Sequence, residues 1–363
     1  MIMALILLAL GALLMVPTLA LASTNLKYHQ VVEKNTLETY AADSGVQYAL
    51  CRLANNSEAF GPEPLSAEVN GRVVNVTLEH YADNVYKITS IAMTDSVSST
   101  TTQSYVSVTA GLFDYGMLAI DGDINVSGNA EVTSPPDLFE GDIYANGGIN
   151  LSGNAAVNGD AIATGQITLS DNAYIYGEQI EYLSSPPVFA EIDTSIYLYA
   201  ANQGTLIEGD LDISLDGYYD LGPAHITGSL TTSGDAIVRL NGTVWVDGTI
   251  IMSGNSSIEG AETIVAGGDI QVTGNAKLDA DDIPLVISID GNITVTGNGW
   301  VSAILYAPNG DITLSGNSMV SGAVAGQNIY AEGNNTLEYL TELRSRGDLP
   351  GVGGINIISY TIE

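Results

Sequence analysis

Hydrophobic and polar positions change rhythm three times along the chain. Residues 1–22, "MIMALILLALGALLMVPTLALA", carry no charged side chain. As a helix this stretch spans roughly 33 Å, about the thickness of a bilayer core. The helical signal then continues through "NLKYHQVVEKNTLETYAADSGVQYALCRLANN" without proline. Leu37, Ala41, Ser44, Tyr48 and Cys51 recur at steps of three and four, one stripe of an amphipathic helix. A single long helix over 1–56 is therefore expected, with Cys51 buried on it as a small apolar residue. After "GPEPL" the period falls to two. Val74, Val76 and Leu78 alternate with Asn75, Thr77 and Glu79, and Asn70-Gly71 is a hairpin signal. Residues 84–93 and 100–110 read as two more strands. The pattern predicts a small antiparallel sheet over 57–110 whose apolar face the helix covers.

From Gly111 a repeated phrase takes over: "GDINVSGNAEV", "GDIQVTGNAKL", "GDITLSGNSMV". The triplet glycine falls at Gly128, Gly153, Gly234, Gly254, Gly274, Gly297 and Gly316, and Asp171 holds the same place in "ITLSDNAYI". Steps of 18 to 25 residues, interrupted by one of 63, match single coils of a parallel β-solenoid over 111–340. Each phrase reads as a short strand, a corner and another short strand. Asn129, Asn154, Asn172, Asn255, Asn275, Asn298 and Asn317 are expected at these corners, where stacked amides form hydrogen-bond ladders. The gap near 181–227 holds a proline-bounded excursion with a short helix within 190–202, and 341–363 reads as a capping turn and a final strand. The fold class is thus mainly β: a long N-terminal α-helix, a small antiparallel sheet and a parallel β-solenoid.

Two stretches carry family resemblances. The charge-free N-terminal half, Pro17 and "YAADSGVQYAL" together resemble the N-terminal helix of type IV pilin-like proteins, PilX-type minor pilins in particular. That resemblance implies a cleaved leader and an acidic residue early in the mature helix; here Leu5 stands in that region and no acid precedes Glu33. "LGPAHITGSLTTSGDAIVRLNGTVWVDGTI" and "ILYAPNGDITLSGNSMVSGAVAGQNI" resemble a bacterial domain found behind PilX-type N-termini and, more distantly, the polymer-forming bactofilin repeats. The implied role is structural or surface-exposed. On this resemblance Leu5, Leu10, Leu14, Pro17, Leu21, Tyr28 and Tyr48 belong to an assembly helix, and the sheet is a pilin head. Read from the residues alone, 1–22 also fits a secretory signal with a cleavage site at Ala20-Leu21-Ala22, or a plain membrane anchor.

Composition narrows the chemistry. The 363 residues carry 42 acidic and 9 basic side chains, a formal charge of −33, which repels nucleic acid. The single cysteine leaves no internal disulfide, Cys-based zinc site or iron–sulfur cluster. His29, His80 and His225 lie in three separate regions. Pectin-degrading enzymes share the solenoid architecture, but Arg239 and Lys277 are the only basic residues between Lys87 and Arg344, so a lyase base is hard to supply. No phosphate loop or nucleophile elbow stands at a strand-to-helix turn. Asp279, Asp281 and Asp282 form the densest acidic cluster, a calcium candidate against the alternative of an exposed turn. No other cofactor is expected. Glycosylation sequons stand at Asn55, Asn75, Asn125, Asn150, Asn241, Asn255, Asn292 and Asn334.

The expectation that follows is a non-enzymatic structural subunit of an extracellular, prokaryotic pilus-like filament. Its helix lies in the filament core among copies of itself, inserted in the inner membrane before assembly, with the solenoid exposed. A minor tip adhesin binding glycan or a surface, and a secreted or tethered polysaccharide-active solenoid, are the alternatives.

Overall fold

The computed structural model describes residues 2–54, 59–65, 68–82, 84–94, 98–135, 139–184, 186–214, 216–279, 283–346 and 349–362; on the first helix it describes side chains at Met15 and from Thr18 onward. The chain is mainly β and divides into two compact units: 1–109 with 354–363, and 110–353.

In the first unit, helix α1 (Ile2–Ala54) covers one face of a five-stranded antiparallel sheet. Strands β1 (Phe60–Pro64), β2 (Val73–Ala82), β3 (Val85–Thr94) and β4 (Ser98–Thr109) follow in sequence order. The fifth place, beside β4, is taken by the C-terminal strand Gly354–Ile362. The solenoid unit is therefore inserted between two adjacent strands of this sheet. Asn70 and Gly71 both have positive φ, 54° and 69°, and close the Val69–Arg72 turn in the mirror-image geometry that hairpins favour. Val74, Val76 and Leu78 are buried on the helix side.

The buried stripe of α1 runs through Glu38, Ala41, Ala42, Val46, Ala49 and Leu53. It shares Ala41 with the stripe of the sequence reading but otherwise lies about one position away, with Tyr48 and Cys51 exposed rather than buried. The reason is size. A Cβ at Gly45 would collide with Ser90, Val76 and Val74, so the helix presents its smallest residues and its backbone approaches the sheet closely. Larger residues such as Tyr48 are left at the edge, where the Tyr48 hydroxyl donates to Glu63 at 3.0 Å and Arg52 pairs with the same carboxylate at 2.6 Å.

The second unit is a parallel β-solenoid of about ten coils. One side is a ten-stranded parallel sheet, and the remaining short strands form a nineteen-stranded sheet around the other sides. Inward positions are mostly Ile, Val, Leu and Ala, with Tyr144 and Tyr339 the largest fully buried side chains. The coils are not stacked in sequence order. Strands Met117–Ala119, Ile124–Gly128 and Glu131–Thr133 of the first coil pair with Met319–Gly326, Ile329–Gly333 and Thr336–Tyr339 of the last. The chain enters mid-stack and winds outward to strand Gln179–Ile180. It then crosses to the far end, resumes at strand Thr205–Ile207 and winds back. The crossing holds helix α2 (Ser195–Ala201), which buries Ala201 against the solenoid. Strands resume at Thr205, so the excursion is shorter than the stretch near 181–227 that the gap in the phrase suggested.

Candidate assembly surface and corner ladders

Two features carry candidate function: the first half of α1 and the solenoid corners. On α1 the described side chains of Met15, Leu19, Leu21, Leu26, Tyr28 and Val31 are exposed, Leu19 and Tyr28 each at 68%. Among the predicted assembly residues, Leu21 and Tyr28 are exposed and Tyr48 sits at the sheet edge; the side chains of Leu5, Leu10, Leu14 and Pro17 lie outside the described residues. Among the described residues no helix is long and apolar enough to cross a membrane. Where α1 meets the sheet, Glu38 is 2% exposed and is flanked by Arg72 and Lys34, each at 3.8 Å. One turn further along α1, burial raises the Asp43 carboxyl above its ordinary value, and its Oδ1 has no hydrogen-bond partner.

At the corners, each amide Nδ2 donates to the side-chain oxygen one coil along. The ladder runs from Asn172 to Asn154, Asn129, Asn334, Asn317, Asn298, Asn275, Asn255 and finally Asp235, at 2.7–3.1 Å throughout. All seven predicted corner asparagines are in it. Asn334 was missed as a corner because Glu332 replaces the Ser or Thr of the phrase. The corner glycines take positive φ, 77° at Gly128 and 81° at Gly297, and a Cβ there would meet the backbone of the adjacent coil. Asp171 tolerates a φ of 58° in the terminal turn of the stack, where its Oδ2 accepts from the Gly153 amide at 3.2 Å.

A second ladder explains the "GD" that opens each phrase, a signal the sequence reading left unused. Side-chain oxygens accept backbone or amide N–H groups from the neighbouring coil, from Asp269 through Asn292, Asp311, Asn328 and Asp123 to the amide of Gly148, at 2.6–3.0 Å. Both ladders cross the junction between the first and last coils. Arg344 fastens that junction, donating to Asp142 at 2.6 Å, Glu140 at 3.1 Å and the Asp114 carbonyl at 2.9 Å.

The remaining candidates are dispersed. Asp281 and Asp282, and the side chain of Asp279, lie outside the described residues, as does Asn55. Of the other sequons, Asn255 and Asn334 are ladder members, Asn150 donates to Asn125 at 3.1 Å, and Asn292 accepts from Asp311. Asn75 is half-buried on β2, and Asn241 is exposed at a turn. His80 packs edge-on against Tyr86, and His225 is bracketed by Asn202 at 2.8 Å and Asp247 at 3.0 Å, so each imidazole is tied into its own unit.

The geometry defines a class: a long-helix protein with a small sheet and an inserted, out-of-order β-solenoid. A family described as a domain of unknown function, DUF7305, matches residues 171–346. No curated protein matches this chain. Two solved structures are similar. One is the competence-associated pilin ComZ from Thermus thermophilus, at 10% identity and a TM-score of 0.32, covering 90% of this chain and 98% of that one. The other is an ice-binding protein from the Antarctic ascomycete Antarctomyces psychrotrophicus, at 13% identity and a TM-score of 0.28, covering 62% of this chain and 95% of that one.

Proposed function

We propose that this protein is a structural subunit of an extracellular, pilus-like filament on a prokaryotic cell surface. The first half of α1 packs among the same helices of other copies, and the solenoid is the exposed part. The observation that carries this reading is the charge-free stretch 1–22 of α1, whose described side chains Met15, Leu19 and Leu21 are exposed, with Leu26, Tyr28 and Val31 exposed beyond it. A helix apolar on every side is stable only within lipid or among other helices. The same stretch serves as the membrane anchor before assembly.

The test is electron microscopy of the full-length chain as detergent is removed. Wild type is expected to form rods, and the double variant Leu21→Asp, Tyr28→Asp to remain dispersed. A mature amino terminus at Ser23, or single particles of the wild type in detergent-free buffer, overturns the reading.

A further inference from the structure

Within the solenoid unit, the segment that crosses from one end of the stack to the other bridges a cavity of about 490 Å³. Phe189 anchors the segment. Its neighbours' backbones exchange hydrogen bonds with Ala110, and its ring packs on Tyr144 at 5.3 Å and Tyr115 at 6.4 Å. Beneath it lie the corner residues of several stacked coils, among them Asp121, Asn146 and Asn309. The cavity therefore sits over the junction where the first coil meets the last.

Its lining is chemically one-sided. Leu112, Phe189 and Ile192 supply apolar wall, and Asp121 and Glu191 supply two carboxylates. No Lys, Arg or His lines it. Tyr306 also lines the cavity; it is 5% exposed, with its ring edge-on to Phe113 at 6.3 Å. The Tyr306 hydroxyl makes no hydrogen bond to any described residue. Burial, with a further contribution from Glu191, pushes its pKa up to about 12, so it remains a neutral phenol well above neutral pH. The ring is buried while the hydroxyl opens to the cavity, so a ligand held there can supply the hydrogen-bond partner that no described residue gives it.

The ligand must then offer an acceptor or donor to the phenol, donors to the carboxylates and carboxamides, and an apolar face to the walls. An anion is repelled by Asp121 and Glu191. A simple cation satisfies the carboxylates but gives the phenol no acceptor. A cavity of this size holds one or two sugar rings, whose faces are apolar and whose rims carry both donors and acceptors. We propose that this cavity binds an uncharged saccharide, with Tyr306, Glu191 and Asp121 as its polar contacts. The inference does not rest on the filament reading.

The experiment uses the full-length chain in a detergent without a sugar headgroup, applied to an array of immobilised glycans. Saturation-transfer NMR and calorimetry with the methyl glycoside of the best uncharged hit then give an affinity. Saturable binding is expected. Tyr306→Phe, which keeps the ring, is expected to weaken it about two- to tenfold, the value of one hydrogen bond. Glu191→Gln, on the exposed segment, is expected to do the same with an unchanged melting curve. The dispersed variant Leu21→Asp, Tyr28→Asp is expected to bind as wild type does, which separates this test from that of assembly. Four outcomes overturn the proposal: no uncharged glycan binds; only uronate- or sialate-bearing glycans bind; tetramethylammonium displaces the glycan; or both site variants retain wild-type affinity.

Discussion

Gly45 governs how near α1 comes to its sheet. A Cβ there meets the side chains of Ser90, Val76 and Val74, and Ala41, Ala42 and Ala49 flank it on the same buried face. The string "AADSGVQYA" is thus a packing device in which small residues let backbone approach sheet. Gly45→Val inserts three carbons into this contact. Its expected cost is about 1–3 kcal/mol, the usual range for overpacking, set against a small gain in helix propensity. Urea unfolding of the full chain, followed by a probe on the helix–sheet unit, measures it. A variant as stable as wild type would mean that the helix stands further from the sheet than the structure has it. Cys51 belongs to the same lesson. Two adjacent stripes of α1 both satisfy three-and-four spacing, and spacing alone does not say which one is buried. Side-chain volume decides, and the stripe with glycine and alanine is the one pressed against β2, β3 and β4.

Among the elements, the short solenoid strands depend on their neighbours more than on themselves. Most of these strands have two to five residues and little stability alone, and each coil is held by parallel pairing, a filled interior and the corner ladders. The Asn ladder allows a graded test. Asn275 sits mid-ladder, donating to Asn255 and accepting from Asn298, each at 3.0 Å. Asn172 is at the end and donates once, to Asn154. Each exposed rung contributes roughly 0.5–1 kcal/mol, so Asn275→Ala is expected to cost about twice what Asn172→Ala costs. Thermal or denaturant melting of the two variants gives the ratio, and equal costs would show that the amides contribute little beyond corner geometry. These ladders were half legible. The Asn corners announce themselves as a repeated Ser/Thr-Gly-Asn triplet, whereas the Asp ladder alternates among Asp, Asn and Ser, any of which supplies the accepting oxygen. Chemical equivalence without identity hides a repeat from inspection.

At the scale of the whole molecule, the order of coils is what the repeat could not reveal. Every coil carries nearly the same phrase, so stacking in sequence order and stacking with the first three coils moved behind the last satisfy the same periodicity. The deciding contacts join residues far apart in sequence, Asn129 with Asn334 at 2.7 Å and Tyr339 with the Phe113 carbonyl at 2.9 Å. The placement of Gly354–Ile362 beside β4 is hidden for the same reason: an alternating strand does not name its partner. The cavity bridged by the crossing segment exists only because of this order; Tyr306 lies in the "ILYAPNGDITLSGN" string, which reads as a repeat unit and not as a site, and no motif marks Glu191. If the junction is a true continuation of the stack, coils on its two sides should open together although they lie some two hundred residues apart. Hydrogen exchange on the intact chain reads this directly, since cooperative units exchange as one. Peptides covering 117–133 and 319–339 are expected to share one protection level. Arg344 carries the side-chain clamp across the junction through Glu140 and Asp142. Arg344→Ala is therefore expected to speed exchange in both peptides several-fold, for a partly exposed pair of ion pairs worth about 1 kcal/mol. Peptides covering 244–279, several coils away, should keep their wild-type rates, because each coil in such a stack senses chiefly its neighbours. Acceleration confined to 319–339 would show that the first coil is held by something other than this junction.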